Sequence, residues 1–340
     1  MLIQNLSLKN FKCFEEVDVE FAPITLLTGA NSSGKSSLIY SLLAVLQTEQ
    51  FPFYLSPNGK YVNLGGFEEM TNKSSNKSEF DIFIQFNDAI FDTRWYNSHG
   101  LPKNIYEIDI NYRPNDYDTN FNYIGSFRQP PERTYYQKAK AQSKVDTDGA
   151  GYIDQIIEWE ETDPDKLEEL AKIMSELELF KEIKSNKFKG GRFELSVKTQ
   201  TNSELAALTD VGFGISQFLP IIVADLQLGD NSCLALSQPE IHLHPKIQAL
   251  FGNFLVNQIN HTNKQYIVET HSEYLLNRLR LLLVKGELKP EDIRVYYFEN
   301  DGIKTTTYNV EFTKDGQIKG APDSFFDTYA VDVMDIALNT

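Results

Sequence analysis

Cysteine is nearly absent: a chain of 340 residues carries two, Cys13 and Cys233. They stand far apart in apolar or strand-like surroundings, so neither a disulfide framework nor a metal-ligand spacing is implied. Positive charge is also short, with 32 Lys and Arg against 48 Asp and Glu and a formal net charge of −16. That excludes a general nucleic-acid coat, which needs net positive surface to neutralise phosphates, but leaves room for a local basic groove. No apolar run approaches the length of a membrane span. The opening MLIQNLSLKNFKCF alternates polar and apolar residues and lacks the apolar centre of a signal peptide. The expectation is a soluble cytoplasmic protein with no membrane partner. No internal repeat is evident. Hydrophobic residues make up 41% of the chain, enough for a sizeable core in one large or two modest domains.

The patterning alternates strands with helices. Residues 2–8 alternate as a strand and residues 17–21 read as its antiparallel partner. Residues 24–28 form a short β-rich run ending at Gly29, after which Leu38, Leu42, Val45 and Leu46 fall at helical spacing. Residues 79–86 and 106–112 alternate cleanly as strands. Thr162-Asp163-Pro164 supplies a capping residue and a proline for the first helical position. Leu167, Leu170, Ala171, Met174 and Leu177 carry that helix on, and Lys189-Gly190-Gly191-Arg192 is expected to end it before a strand at 193–198. Past Leu205 a glycine-punctuated loop leads to a helix over 217–228. The buried strand LALSQPE, a helix near 246–260, a buried strand at 265–269 and a helix over 273–284 follow. A terminal hairpin turns at Asn300-Asp301-Gly302.

The most specific signal is GANSSGKSS, made of Gly29, Ala30, Asn31, Ser32, Ser33, Gly34, Lys35, Ser36 and Ser37. It fits G-x-x-x-x-G-K-[ST] between a strand and a helix, the context such a loop requires. The glycines let the backbone curl so that its N–H groups face phosphate oxygens, and the helix N-terminus adds partial positive charge. Lys35 is expected to reach the β and γ phosphates and Ser36 to ligate magnesium. ATP or GTP binding with Mg2+ follows.

The surroundings carry a resemblance. NFKCF (residues 10–14), the phosphate loop, GFGISQ (212–217), PEIHLHP (239–245) and ETHS (269–272) resemble ABC-type head ATPases. These include SMC and RecF proteins and the overcoming-lysogenization-defect (OLD) family. YVNLGGFEEM (61–70), YIGSFRQPPERTYY (123–136), DVGFGISQFLPIIV (210–223) and VETHSEYLLNRLR (268–280) are similar to bacterial AAA-type, OLD-like ATPases. GAPDSFFD resembles their short C-terminal domain, which commonly has tryptophan where Ala321 stands. The group includes ATPase subunits of anti-phage systems such as Septu.

The resemblance implies an α/β, ABC-type P-loop head: a central β-sheet flanked by helices, an antiparallel β lobe and an inserted α/β segment. It implies an N-terminal half over 1–70, the insertion over 71–204, a C-terminal half over 205–310 and a short last region over 311–340. The cofactors are then ATP and Mg2+. The working unit is a head-to-tail nucleotide-sandwich dimer or a higher oligomer. Gly212, Gly214, Ser216 and Gln217 become the signature loop that caps the γ-phosphate held by the other subunit, and His271 the switch histidine. Asn10 and Lys12 touch nucleotide at equivalent positions of SMC-like heads. The partner is an effector protein, such as an HNH-type nuclease, because this chain shows no nuclease constellation of its own. A RecF-like repair ATPase and a non-hydrolysing nucleotide-gated scaffold are the competing readings.

Relatives usually carry an acid at position 237 to hold magnesium, and commonly glutamate next to it as the base, although glutamine occurs there in close relatives. Here the two are Ser237 and Gln238. Serine offers magnesium a neutral oxygen only, and glutamine orients a water without taking its proton. Glu240 is the nearby acid expected to substitute, so ATP binding with slow or regulated hydrolysis is anticipated. His242 and His244 share one side of an extended segment with Glu240, but no fourth ligand is evident and a structural turn is favoured. Two basic stretches lie in the insertion. One holds Arg133, Lys138, Lys140 and Lys144; the other holds Lys184, Lys187, Lys189 and Arg192. They are a candidate DNA or RNA contact, or a solvated charged face.

Overall fold

The computed structural model describes residues 2–325 and 338, apart from 50, 52, 76–77, 105–118, 137 and 139. The strand expected over 106–112 lies outside the described residues. Along the chain run β1 (Ile3–Phe11), β2 (Phe14–Glu20), β3 (Ile24–Gly29), α1 (Lys35–Leu46), α2 (Phe67–Met70), β4 (Glu79–Phe86), β5 (Ile90–Ser98), β6 (Leu101–Asn104), β7 (Phe121–Ile124) and β8 (Tyr135–Tyr136). The second half adds α3 (Tyr152–Thr162), α4 (Pro164–Glu176), β9 (Glu182–Lys187), β10 (Arg192–Lys198), β11 (Ala206–Ala207), α5 (Phe213–Gln227), β12 (Cys233–Ser237), α6 (Pro245–His261), β13 (Gln265–Glu269), α7 (Glu273–Val284), β14 (Ile293–Asn300), β15 (Thr305–Phe312) and β16 (Ile318–Lys319).

Seven strands form the central sheet in the order β16-β15-β14-β3-β13-β12-β7. From β14 to β7 neighbours run parallel, while β15 pairs antiparallel with β14. Parallel strands of this kind are buried on both faces, which is why they read as continuous apolar runs. Period-two alternation divides each strand between two cores. Cys233 and Ala235 pack with Leu27, Ile267, Phe298 and the α1 residues Leu38 and Leu42. Leu234 and Leu236 pack with Leu26, Val268 and the helical residues Phe218, Phe251 and Leu279.

The antiparallel lobe, β2-β1-β4-β5-β6, covers the α1 side. Its alternation is legible: Phe80, Ile82, Ile84 and Phe86 of β4 are buried while the residues between them are partly exposed. A small sheet, β11-β10-β8 with β9 on β10, packs with α3 and α4.

α4 begins as its sequence dictates, with the Asp163 side chain accepting from the Lys166 N–H and Pro164 in the first turn. It ends earlier than expected, at Glu176. Residues 189–192 do not terminate a helix; they turn a hairpin between β9 and β10. β9, EIKSNK, has one apolar residue, Ile183, so its strand character comes from pairing with β10 rather than from its own pattern. α5 opens at Phe213, four residues before the expected start at 217, and runs through Pro220. Among the described residues no helix is long and apolar enough to cross a membrane.

Candidate functional site

The C-terminal ends of β3, β13 and β12 lie side by side in the parallel sheet, where open α/β sheets place ligands. β3 ends at Gly29, with φ 135°; a Cβ there would lie 2.2 Å from the Phe298 carbonyl oxygen of β14. Only glycine permits so close an approach with that backbone. The loop then feeds α1, whose first turn has no acidic residue and no side-chain cap. Its free N–H groups therefore face the opening.

Lys35 is 3% exposed. Its Nζ donates to the carbonyls of Gly29 (3.0 Å) and Ala30 (2.7 Å). Burial pushes its pKa down, opposed by the charges of Glu269 and Glu240.

Glu269 is the last residue of β13 and the register partner of Ser237 at the end of β12. It is 4% exposed. Its Oε1 accepts from Ser36 Oγ at 2.7 Å and its Oε2 from Ser237 Oγ at 2.8 Å. The Ser237 hydroxyl also shares a hydrogen bond with the Tyr123 hydroxyl at 3.1 Å, and Tyr40 of α1 stands near Tyr123. Burial raises the pKa of both phenols, keeping them neutral. An open cavity of about 610 Å³ sits over this group, lined by loop residues 31–37 with Tyr40, Gln238, Glu269 and His271.

The turn after β12 is fixed from both sides. Gln238 has φ 48° and its N–H donates to the Glu269 carbonyl at 2.7 Å. The Arg128 guanidinium, 3% exposed, donates to the carbonyls of Ser237 (3.4 Å) and Gln238 (3.1 Å). Gln238 thus reaches the cavity on a rigid turn. His271 also lines it, exposed at its outer edge yet partly desolvated. Burial first, then the Lys35 charge, push its pKa below 6.5. Glu240 is not on the cavity wall. Its Oε1 accepts the His271 backbone N–H at 2.7 Å, and burial pushes its pKa up. Glu240, expected to act catalytically in place of the missing acid, holds the His271 backbone, and the carboxylate on the cavity wall is Glu269.

The remaining expected residues divide. Gly212 is exposed at the start of α5, and Gly214 packs so closely on the turn at His242 that a Cβ would lie 2.6 Å from its carbonyl oxygen. Ser216 and Gln217 point inward. The Ser216 hydroxyl donates to the Phe213 carbonyl at 2.9 Å and Gln217 Nε2 to the Gln129 carbonyl at 3.2 Å. What the loop leaves open is backbone at 212–214 and the half-exposed Phe213 ring. Asn10 and Lys12 both adopt positive φ; Asn10 Nδ2 donates to the Glu79 carbonyl of β4 and Lys12 Nζ to the Glu69 carbonyl of α2. Neither lines the cavity; their neighbour Cys13 does.

His242 sits edge-on to Phe213 with centroids 4.8 Å apart, and His244 Nδ1 accepts the Lys246 N–H at the start of α6. Both serve the turn. Of the basic residues, Lys138 pairs with Asp154, Lys184 with Glu182 and Lys187 with Glu161. Lys140, Lys189 and Arg192 are exposed.

Among the described residues no group of three or more His, Cys, Asp or Glu is placed to hold a metal by itself. A magnesium ion that arrives with phosphates needs less, one or two carboxylate or hydroxyl oxygens from the protein. Ser36 and Glu269, 2.7 Å apart, are such a hard-oxygen pair. Sequence reasoning passed over Glu269, Tyr123, Tyr40 and Arg128. The signal available was position: Glu269 is an acid closing an otherwise apolar strand, QYIVE.

The AAA ATPase domain family matches residues 1–148 and 132–276. No curated protein matches the chain. Similar solved structures include an SMC head bound to the C-winged helix domain of ScpA, 12% identical, with 92% of this chain and 99% of that chain covered at a TM-score of 0.53. Another is the Smc head domain with an extended coiled coil bound to the C-terminal domain of ScpA, from Pyrococcus furiosus. It is 11% identical, with 99% of both chains covered and a TM-score of 0.50. An SMC head domain from Thermotoga maritima aligns at 16% identity over 92% of this chain and 100% of its own, with a TM-score of 0.48. The first two likenesses show that the α/β fold is that of SMC head domains.

Proposed function

Because the chain belongs to the AAA ATPase domain family, we propose that it binds ATP with magnesium and closes head to tail on a second copy around the nucleotide. Through that closure it assembles or controls a partner effector, a nuclease such as an HNH type, in anti-phage defence. The observation that carries the nucleotide reading is the buried Lys35 beside the Ser36–Glu269 pair, under a cavity walled by the free N–H end of α1.

The residues divide the work. Loop N–H groups and the α1 N-terminus hold phosphate oxygens. Lys35 exchanges its two loop carbonyls for the terminal phosphates. A cation held at the Ser36 and Glu269 oxygens would supply neutralisation of the phosphate charge. His271, kept neutral at pH 7 by its lowered pKa, is free to hydrogen-bond the γ-phosphate or an attacking water. Gln238 orients that water and takes no proton. The carboxylate on the wall, Glu269, is tied to two hydroxyls and is not disposed as a base. Hydrolysis is therefore slow, since positioning and electrostatics remain but general-base assistance does not.

The absent base also favours a second reading, a nucleotide-gated scaffold in which ATP closes the dimer without turnover. Partner-protein docking is part of the proposal; the similar SMC heads carry bound ScpA domains. The test is to size the purified chain with and without ATP and magnesium, and to recover the native complex. A nucleotide-dependent doubling of mass with a co-purifying nuclease is expected. A chain that stays monomeric with ATP, or purifies alone, defeats the clamp reading. Single-turnover hydrolysis separates slow ATPase from scaffold. A DNA-bound chain with no effector would instead favour a RecF-like repair role.

A further inference from the structure

The small sheet carries aromatic rings on both faces, and only one set is covered. Tyr135 of β8 and Phe193 of β10 are register partners turned inward. They stack at a centroid distance of 5.7 Å and pack with the core of α3 and α4. The next row is turned outward. Tyr136 pairs with Arg192, and the Phe188 N–H donates to the Arg192 carbonyl at 2.7 Å. Cross-strand partners share a face, so Tyr136, Arg192 and Phe188 stand side by side on the solvent face. Tyr136 is 70% exposed and Phe188 46%. Adjacent strands lie about 4.8 Å apart, which sets the two rings about 10 Å from each other with Arg192 between them.

Charge at this row differs from that of the chain as a whole. Lys184 and Lys187, further along β9, are held by Glu182 and Glu161. Lys189, on the turn beside Phe188, and Arg192 are exposed and make no ion pair among the described residues. Glu194 stands one row deeper on β10 and accepts the Ser196 hydroxyl at 3.4 Å. A protein of net charge −16 thus presents two unneutralised cations beside two uncovered rings at one end of one sheet. We infer that this row is a stacking platform for single-stranded nucleic acid. Tyr136 and Phe188 each take the face of one base, and Arg192 and Lys189 take the phosphates that join them. Unstacked bases offer flat faces that fit such rings, and phosphates are the anions that these two cations answer. A duplex hides its base faces and has no use for the rings. The inference does not depend on the nucleotide cavity.

The test is fluorescence anisotropy of the full chain with a labelled oligothymidylate, an oligouridylate and a duplex of the same length, each over a series of salt concentrations. Tighter binding to the single strands than to the duplex is expected. Tyr136→Ala and Phe188→Ala should each weaken single-strand binding by about 5–100-fold at every salt concentration, leaving the salt slope in place. Phe188→Tyr should bind as the wild type does. Lys189→Ala with Arg192→Ala should instead flatten the slope, by about 0.7 for each cation removed. All four side chains are exposed, so the variants should melt with the wild type. Binding to the duplex that equals or exceeds binding to the single strands overturns the inference. So does a variant carrying both Tyr136→Ala and Phe188→Ala that binds as tightly as the wild type. Polyglutamate that competes as well as unlabelled oligothymidylate would mark a surface for acidic peptides and overturns it too. A wild-type chain that binds neither single strand does the same.

Discussion

The residues of the cavity are distinguished by what they bond, more than by what they are. Lys35 and His271 interact through charge, and the sign of the His271 shift has a consequence. Its folded pKa lies below 6.5, so between that value and 6.5 the unfolded chain binds more protons than the folded one. Stability then falls as pH drops through that window and is level below it. In heteronuclear NMR the His271 imidazole of the nucleotide-free chain should titrate with a midpoint under 6.5. Adding ATP should move the midpoint upward, as phosphate favours the protonated ring; an unmoved midpoint would place His271 away from the γ-phosphate. Glu240 is distinguished from Glu269 in the same way. Because Glu240 serves the His271 backbone, Glu240→Gln, which keeps an oxygen acceptor and discards a buried charge, should melt at or above the wild-type temperature. Glu240→Ala leaves an orphaned N–H and should cost about 1–3 kcal/mol. Lys35→Ala should abolish the rise in melting temperature that ATP gives the wild type.

At the scale of elements, the join between α5 and β13 sets the level of the whole crevice. Asp225 of α5, fully buried, pairs with Lys264 just before β13 at 3.1 Å and accepts from the Tyr266 hydroxyl at 2.7 Å. Burial pushes the Asp225 carboxyl up against those partners. Removing one member of a buried pair strands the other, so Lys264→Ala should cost about 3–5 kcal/mol in urea unfolding. The Gly29–Phe298 approach is as strict: Gly29→Ala should force β14 away from β3 and lower both stability and nucleotide affinity. Most elements were legible in the sequence. β4, β13 and α7 fall where their alternation or helical spacing places them, and the α4 cap was readable from Asp163-Pro164. β9 was not, because a charged edge strand with one apolar residue takes its conformation from its neighbour. The early start of α5 was hidden because Gly212 and Gly214 read as a loop, although Gly214 is there for close packing.

Across the whole molecule, charge sets what the surface can bind. The chain carries −16, and three of its candidate nucleic-acid lysines are neutralised by neighbouring acids. A groove for DNA or RNA would have to use Lys140, Lys189 and Arg192. Lys189→Ala with Arg192→Ala should therefore weaken any nucleic-acid binding and flatten its salt dependence, while Lys184→Ala with Lys187→Ala should change it less. Equal effects of the two pairs would argue for a diffuse charge effect in place of a groove. Phe213 and the 212–214 backbone are the open part of the proposed signature loop, so Phe213→Glu should retain ATP binding yet block the ATP-dependent dimer.

The sequence by itself determined the phosphate loop, the strand–helix order around it and the neutral pair Ser237 and Gln238 at the end of β12. Those features are local: they depend on residue type, spacing and backbone freedom along one segment. What surrounds that pair was decided only by the tertiary structure. Residues 237 and 269 are 32 positions apart, and nothing along the chain says that their strands are parallel neighbours ending level with each other. Packing β13 between β3 and β12 brings Glu269 to the serine of the loop and to Ser237 together. Strand order and register, set by burial on both faces of the sheet, put that carboxylate on the wall of the cavity.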